Sequence, residues 1–98
     1  MTSADLNPTE QHDKESLIEF PAALSVKAMG LNAEGFDALV TSTVTSQLPV
    51  DTEHKVTTQL SSGGKYVSVS VHFTASNLEE LKRVYAALRS ESSVLYLL

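Results

Sequence analysis

Ser68, Ser70 and His72 occupy alternate positions of one short stretch and offer hydroxyl nucleophiles beside an imidazole base. They lie in Lys65-Tyr66-Val67-Ser68-Val69-Ser70-Val71-His72-Phe73-Thr74, where apolar and polar residues alternate without a break. The alternation predicts a strand with Val67, Val69, Val71 and Phe73 on one face. Tyr66, Ser68, Ser70, His72 and Thr74 take the other. Side chains at i and i+2 of a strand stand about 7 Å apart, too far for a direct serine–histidine hydrogen bond. No acidic residue on this strand orients the imidazole. The group therefore reads as a solvated polar row.

Other chemistry-bearing patterns resolve in the same way. Ser61-Ser62-Gly63-Gly64-Lys65 has the composition of a phosphate loop, but lacks the Gly-x-x-x-x-Gly-Lys-Ser/Thr spacing and joins two strands. A hairpin turn explains it. Glu79 and Glu80 fall in the first turn of a predicted helix, where negative charge is favourable and capping accounts for both. His12, His54 and His72 are scattered, with no i+3 or i+4 pairing that would build a metal site. Cysteine is absent, which removes disulfides, thiolate catalysis and cysteine-ligated metals. No catalytic residue, metal or cofactor is expected.

The elements that position these residues follow from pattern. Residues 1–16 are polar and acidic without apolar period, and read as a flexible tail. Pro21 closes any helix before it. Leu24, Val26 and Ala28 alternate with Ser25, Lys27 and Met29 in a first strand, which Gly30 is expected to end. Asn32 is the expected N-cap of a helix from Ala33 to about Leu48, with Phe36, Leu39, Val40, Thr43, Val44 and Leu48 in its apolar stripe. Glu53–Leu60 alternates more weakly, with Val56, Thr58 and Leu60 inward. After the glycine turn and the strong strand, Asn77 and Glu80 form a capping box. Leu78, Leu81, Val84, Tyr85 and Leu88 line the second helix. Val94–Leu98 makes a short last strand. The order βαββαβ predicts an α+β, ferredoxin-like sandwich over residues 17–98: a four-stranded antiparallel sheet with two helices on one face.

The uncovered sheet face is the expected surface for function. Lys27 and Met29 should lie beside Tyr66, Ser68, Ser70 and His72. If Val94, Tyr96 and Leu98 are core, Leu95 and Leu97 fall on that face at an edge strand and invite a partner. The alternative is a C-terminus packed against the helices or against the N-terminal tail. Exposed aromatics on such a sheet are how RNA-recognition modules stack bases, yet Tyr66 alone stands on the central strands and the Lys/Arg-Gly-aromatic signature is missing. Twelve acidic against seven basic residues give a formal charge of −5, which opposes nucleic acid and anionic membranes. No apolar run reaches membrane-spanning length, and the N-terminus has no apolar leader core, so a cytoplasmic location is expected.

Three segments together resemble the YbeD-like family of small bacterial proteins of unknown function. They are Glu19-Phe20-Pro21 leading into Ser25-Val26-Lys27-Ala28-Met29-Gly30, then Ser61-Ser62-Gly63-Gly64-Lys65-Tyr66, then Ser68-Val69-Ser70-Val71. The resemblance covers roughly Leu17–Leu98; the longer acidic tail and the apolar Leu95 depart from it. It implies a ferredoxin-like fold similar to ACT-type regulatory domains, with no established catalysis and a contextual association with lipoate metabolism. ACT-type domains bind small effectors, often amino acids, near the first strand-to-helix loop, which points to Met29, Gly30, Leu31 and Asn32. Gly30 would admit a close backbone approach and the helix start a carboxylate. The plainer account is that Gly30 turns the chain and Asn32 caps the helix.

The expected function is thus a non-enzymatic regulatory or adaptor domain. It would bind a protein partner through Lys27, Met29, Tyr66, Ser68, Ser70, His72, Leu95 and Leu97. The alternative is an ACT-like effector sensor acting as a homodimer.

Overall fold

A computed structural model describes residues 18–98. The expected N-terminal tail lies outside the described residues.

The Phe20–Pro21 peptide is cis and leads directly into strand β1, Ala22–Leu31. Helix α1 spans Phe36–Thr45, strand β2 His54–Leu60 and strand β3 Tyr66–Ala75. Helix α2 covers Leu78–Arg89, and the two-residue strand β4 is Tyr96–Leu97. The sheet order is β2-β3-β1-β4, antiparallel throughout, with Val26 opposite Val71 and Val56 opposite Val71 on its other side. This is the ferredoxin-like βαββαβ arrangement read from the sequence.

Alternation decides which way each strand faces. Val26 and Ala28 of β1 and Val69 and Val71 of β3 have no exposed surface and meet Val40 and Val44 of α1 and Val84 and Leu88 of α2. Among the described residues, no helix lies over the opposite face. The inward parity of Val56, Thr58 and Leu60 holds, but β2 is an edge strand, and Leu60 remains 56% exposed.

Three boundaries differ from expectation. Gly30 does not end β1; it lies within the strand opposite Val67 and faces the core. A Cβ built there would fall 2.5 Å from the Ser93 carbonyl oxygen and 2.7 Å from the Phe36 ring, so the missing side chain is what lets both approach. Helix α1 starts three residues later than expected. Gly35, at φ 88°, is its N-cap, because Asn32 is engaged elsewhere. The Asn32 amide nitrogen Nδ2 donates to the Gly64 carbonyl (3.1 Å) and its backbone N–H donates to Lys65 (2.9 Å), tying β1 to the hairpin turn. At the far end Gln47 and Leu48 donate to Val44 and Thr45, a tightened last turn that carries the chain to Pro49.

The third difference concerns β4. Leu97 sits opposite Ala28 and packs with Val94 against the core, whereas Tyr96 lies opposite Met29 on the open face and is 63% exposed. The expected parity is reversed. Leu95 N–H donates to the Met29 carbonyl and Leu98 N–H to the Lys27 carbonyl, so three residues of this segment span two of β1. That extra residue is a bulge, and it exchanges the faces of every side chain after it.

The second helix begins as the capping box requires. The Asn77 side chain accepts from Glu80 N–H (2.9 Å), and the buried Glu80 carboxylate accepts from Ser76 N–H (2.8 Å). Gly63 and Gly64 take φ of 88° and 80° in the β2–β3 turn, a region closed to most side chains.

Candidate functional site

Cross-strand register assembles the open face from all four strands. Ser25 lies opposite His72, Lys27 opposite Ser70, Met29 opposite Ser68 and Leu31 opposite Tyr66. From β2, Lys55 stands opposite His72, Thr57 opposite Ser70 and Gln59 opposite Ser68. Tyr96 joins beside Met29. Six of the eight expected surface residues, Lys27, Met29, Tyr66, Ser68, Ser70 and His72, therefore share this face. Leu97 does not, because the bulge turns it towards the helices. Leu95 stands at the sheet margin, 48% exposed, beside Leu31, Phe36 and Leu39.

The face has a definite chemistry. Lys27, Lys55 and His72 alternate with hydroxyl and amide groups, and no strand position on it carries a carboxylate. Glu53, just before β2, borders a shallow depression of about 530 Å³ with Ser25, Lys55, His72 and Thr74. Among the described residues, a chain of net charge −5 thus keeps its acids off the strand positions of this face. Tyr66 and Tyr96 add amphipathic rings at the Leu31 end, and the Lys65 ammonium lies 5.5 Å from the centre of the Tyr66 ring.

His72 finds a partner on the neighbouring strand. Its Nε2 shares a 3.1 Å hydrogen bond with Thr57 Oγ1, a diagonal contact from β3 to β2. The alternate positions of Ser68 and Ser70 leave them out of that bond, and no carboxylate orients the ring. The arrangement holds an imidazole in place; it does not build a charge-relay constellation. Among the described residues, no three histidine or carboxylate groups converge to hold a metal ion. Burial raises the Tyr85 phenol above its ordinary value, but Tyr85 belongs to α2 and lines a groove with Leu81 and Arg89 away from the sheet face.

Met29, Gly30, Leu31 and Asn32 do not form a loop. The first three are strand residues with Gly30 facing the core, and Asn32 is tied to the hairpin. The loop proper, Asn32 to Gly35, separates two depressions. One, about 380 Å³, is lined by Leu31, Phe36, Leu39 and Leu95; the other, about 450 Å³, by Asp37, Thr58 and Leu60. At the helix start, Ala33 and the Asp37 side chain accept from Phe36 N–H and Ala38 N–H. Glu34 and Asp37 flank it, and their charge opposes a ligand carboxylate.

The sequence reading missed Lys55, Thr57, Gln59 and Tyr96. The first three were legible as the outward set of β2 once Val56, Thr58 and Leu60 were taken as inward. Tyr96 was not, since the bulge leaves no mark in the hydrophobic pattern.

Comparison with known proteins places the chain. Residues 15–98 match the family described as "Protein of unknown function (DUF493)". A UPF0250 protein of Neisseria gonorrhoeae (strain NCCP11945) is 41% identical over 86 residues, spanning 88% of this chain and 94% of that protein. A UPF0250 protein of Janthinobacterium sp. (strain Marseille) is 35% identical over 97% of this chain and 99% of its own length. The solution structure of protein HP0495 from H. pylori superposes with a TM-score of 0.62, at 18% identity, over 100% of this chain and 94% of that one; it shares the fold. No helix among the described residues is long and apolar enough to cross a membrane. With the expected sheet, hairpin and capping box in place and relatives matched along nearly their whole length, the chain belongs to the DUF493 family, the YbeD-like small bacterial proteins of unknown function.

Proposed function

We propose that the protein is a non-enzymatic regulatory or adaptor domain whose open sheet face docks a protein partner bearing acidic side chains. The supporting observation is the segregation of charge: Lys27, Lys55 and His72 on a face whose strand positions hold no carboxylate, in a chain of net charge −5. Hydroxyls between them offer hydrogen bonds, and Met29, Tyr66 and Tyr96 offer the apolar and aromatic contact that centres an interface. Paired strands hold the backbone beneath these groups, so docking need not order a loop.

The test compares partners captured by the unaltered protein with those captured by a Lys27→Glu, Lys55→Glu double variant. Both substitutions are exposed and leave the core intact. A partner held by this face is lost on charge reversal and retained by a Lys82→Glu control on α2. Equal capture by all three proteins rejects the surface.

Effector sensing is the second reading, favoured by the apolar depression of Leu31, Phe36, Leu39 and Leu95. Its wall chemistry suits an apolar ligand better than a free amino acid, whose carboxylate would meet Glu34. Amide NMR titration with pools of amino acids and short acyl compounds would move Leu31 to Phe36 and Leu95. A spectrum unchanged by every pool rejects this reading.

A further inference from the structure

Strand β2 is a sheet edge of seven residues with no proline and an unbroken register against β3. Its backbone polarity can be worked out. Ser61 N–H donates to the Tyr66 carbonyl (2.9 Å), and along an antiparallel ladder such pairs recur at every second residue. Lys55, Thr57 and Gln59 therefore bond to β3, and the N–H and C=O groups of His54, Val56, Thr58 and Leu60 point away from the sheet. These outward groups form a template for another strand, and the edge has few of the usual protections: one lysine, no bulge, no inward charge.

We infer that β2 pairs with β2 of a second copy, antiparallel about a two-fold axis through Thr57. This register uses the whole strand. Val56 meets Thr58 and His54 meets Leu60, whose backbone groups point outward and are unpaired among the described residues, while Thr57 faces itself as a pair without backbone bonds. No like charges oppose each other, since Lys55 meets Gln59. On the helix side, His54 of the second copy enters the depression around Leu60, whose lip carries Glu34 and Asp37. Opposite polarity thus meets there, and the 56% exposure of Leu60 is relieved. A sequence pairing with itself in full register, with no like charges opposed and an apolar residue covered, selects a second copy over an unrelated strand. The two-fold runs perpendicular to the sheet, so both open faces point the same way and two four-stranded sheets become one surface.

The proposal does not depend on a partner for the open face, and its test is separate. Sedimentation of the full-length protein across concentration is expected to give a reversible monomer–dimer equilibrium. Thr58→Pro removes one outward N–H per copy and none that bonds to β3, and should weaken the dimer at least about tenfold. The chain has no cysteine, so one introduced thiol reports the register directly, although at position 57 it gives up the Thr57–His72 hydrogen bond. Across the axis the two Thr57 Cα atoms lie about 4.5 Å apart, within disulfide reach. Thr57→Cys should cross-link under diamide at least about tenfold faster than Lys55→Cys, whose copies are about 14 Å apart. Amide exchange at Val56, Thr58 and Leu60 should slow as concentration rises. A monomer at all concentrations overturns the proposal, as does a dimer indifferent to Thr58→Pro with no preference for cross-linking at position 57. Protection of these amides independent of concentration also overturns it, because the edge is then covered by the chain's own N-terminal segment.

Discussion

Replacing Gly30 with alanine should be among the most damaging single-methyl changes in this protein. The position has no positive φ, so the cost is steric and not conformational. The new Cβ would sit 2.5 Å from the Ser93 carbonyl oxygen and 2.7 Å from Cε1 and Cζ of Phe36. Neither neighbour yields easily. Phe36 is 4% exposed and locked in the core, and Ser93 lies in the connector whose next residues pair with β1 through Leu95 N–H to Met29. Overpacking of this kind typically costs about 1–3 kcal/mol, and two unyielding contacts put Gly30 near the upper end. Alanine recovers about 0.4–1 kcal/mol by restricting the unfolded chain. The net loss is about 2 kcal/mol. For a domain of this size that lowers Tm by about 8–16 °C. Urea unfolding followed by far-UV circular dichroism measures the loss, and a cycle with Phe36→Leu tests its cause. Phe36→Leu should cost less in the Gly30→Ala background than alone, because it removes one of the two obstacles. A Gly30→Ala protein within about 0.5 kcal/mol of the parent would refute the steric account of this glycine.

Two further outcomes follow from the same structure. Glu80→Ala removes the acceptor of the Ser76 N–H and should cost about 1–3 kcal/mol in urea unfolding, while Glu80→Gln, which keeps an oxygen there, should recover most of it; equal losses would deny the capping role. Leu97→Ala should destabilise by about 1–2 kcal/mol because Leu97 packs on the core, whereas Leu95→Ala should cost under about 1 kcal/mol; equally small losses for both in thermal melts would restore the parity expected from pattern alone.

The open face and the β2 edge describe two independent uses of one sheet. A face tolerates function because antiparallel sheets need only one side buried. An edge tolerates function because its backbone groups are already aligned for another strand. Pairing through β2 would double the surface that carries Lys27, Lys55 and His72, and an acidic partner long enough to engage both copies at once would bind with the avidity of two linked sites.

The sequence by itself determined the elements and most of their faces. Strict alternation in β3 leaves a strand only one way to bury Val67, Val69, Val71 and Phe73, so Ser68, Ser70 and His72 had to share the other side. The Asn77–Glu80 spacing and the double glycine act over four or five residues, and both formed as read. Tertiary structure decided whatever depended on distant partners. Asn32 has the chemistry of an N-cap, yet the Gly64 carbonyl claimed its amide and the helix began at Phe36 instead. Gly30 looked like a stop, but Phe36 and Ser93 needed the space its missing side chain leaves, and the strand continued through it. One extra residue against β1 turned Leu97 inward and Tyr96 outward. Periodicity records which residues prefer burial; it holds no count of the residues opposite them, and that count is made only when two strands meet.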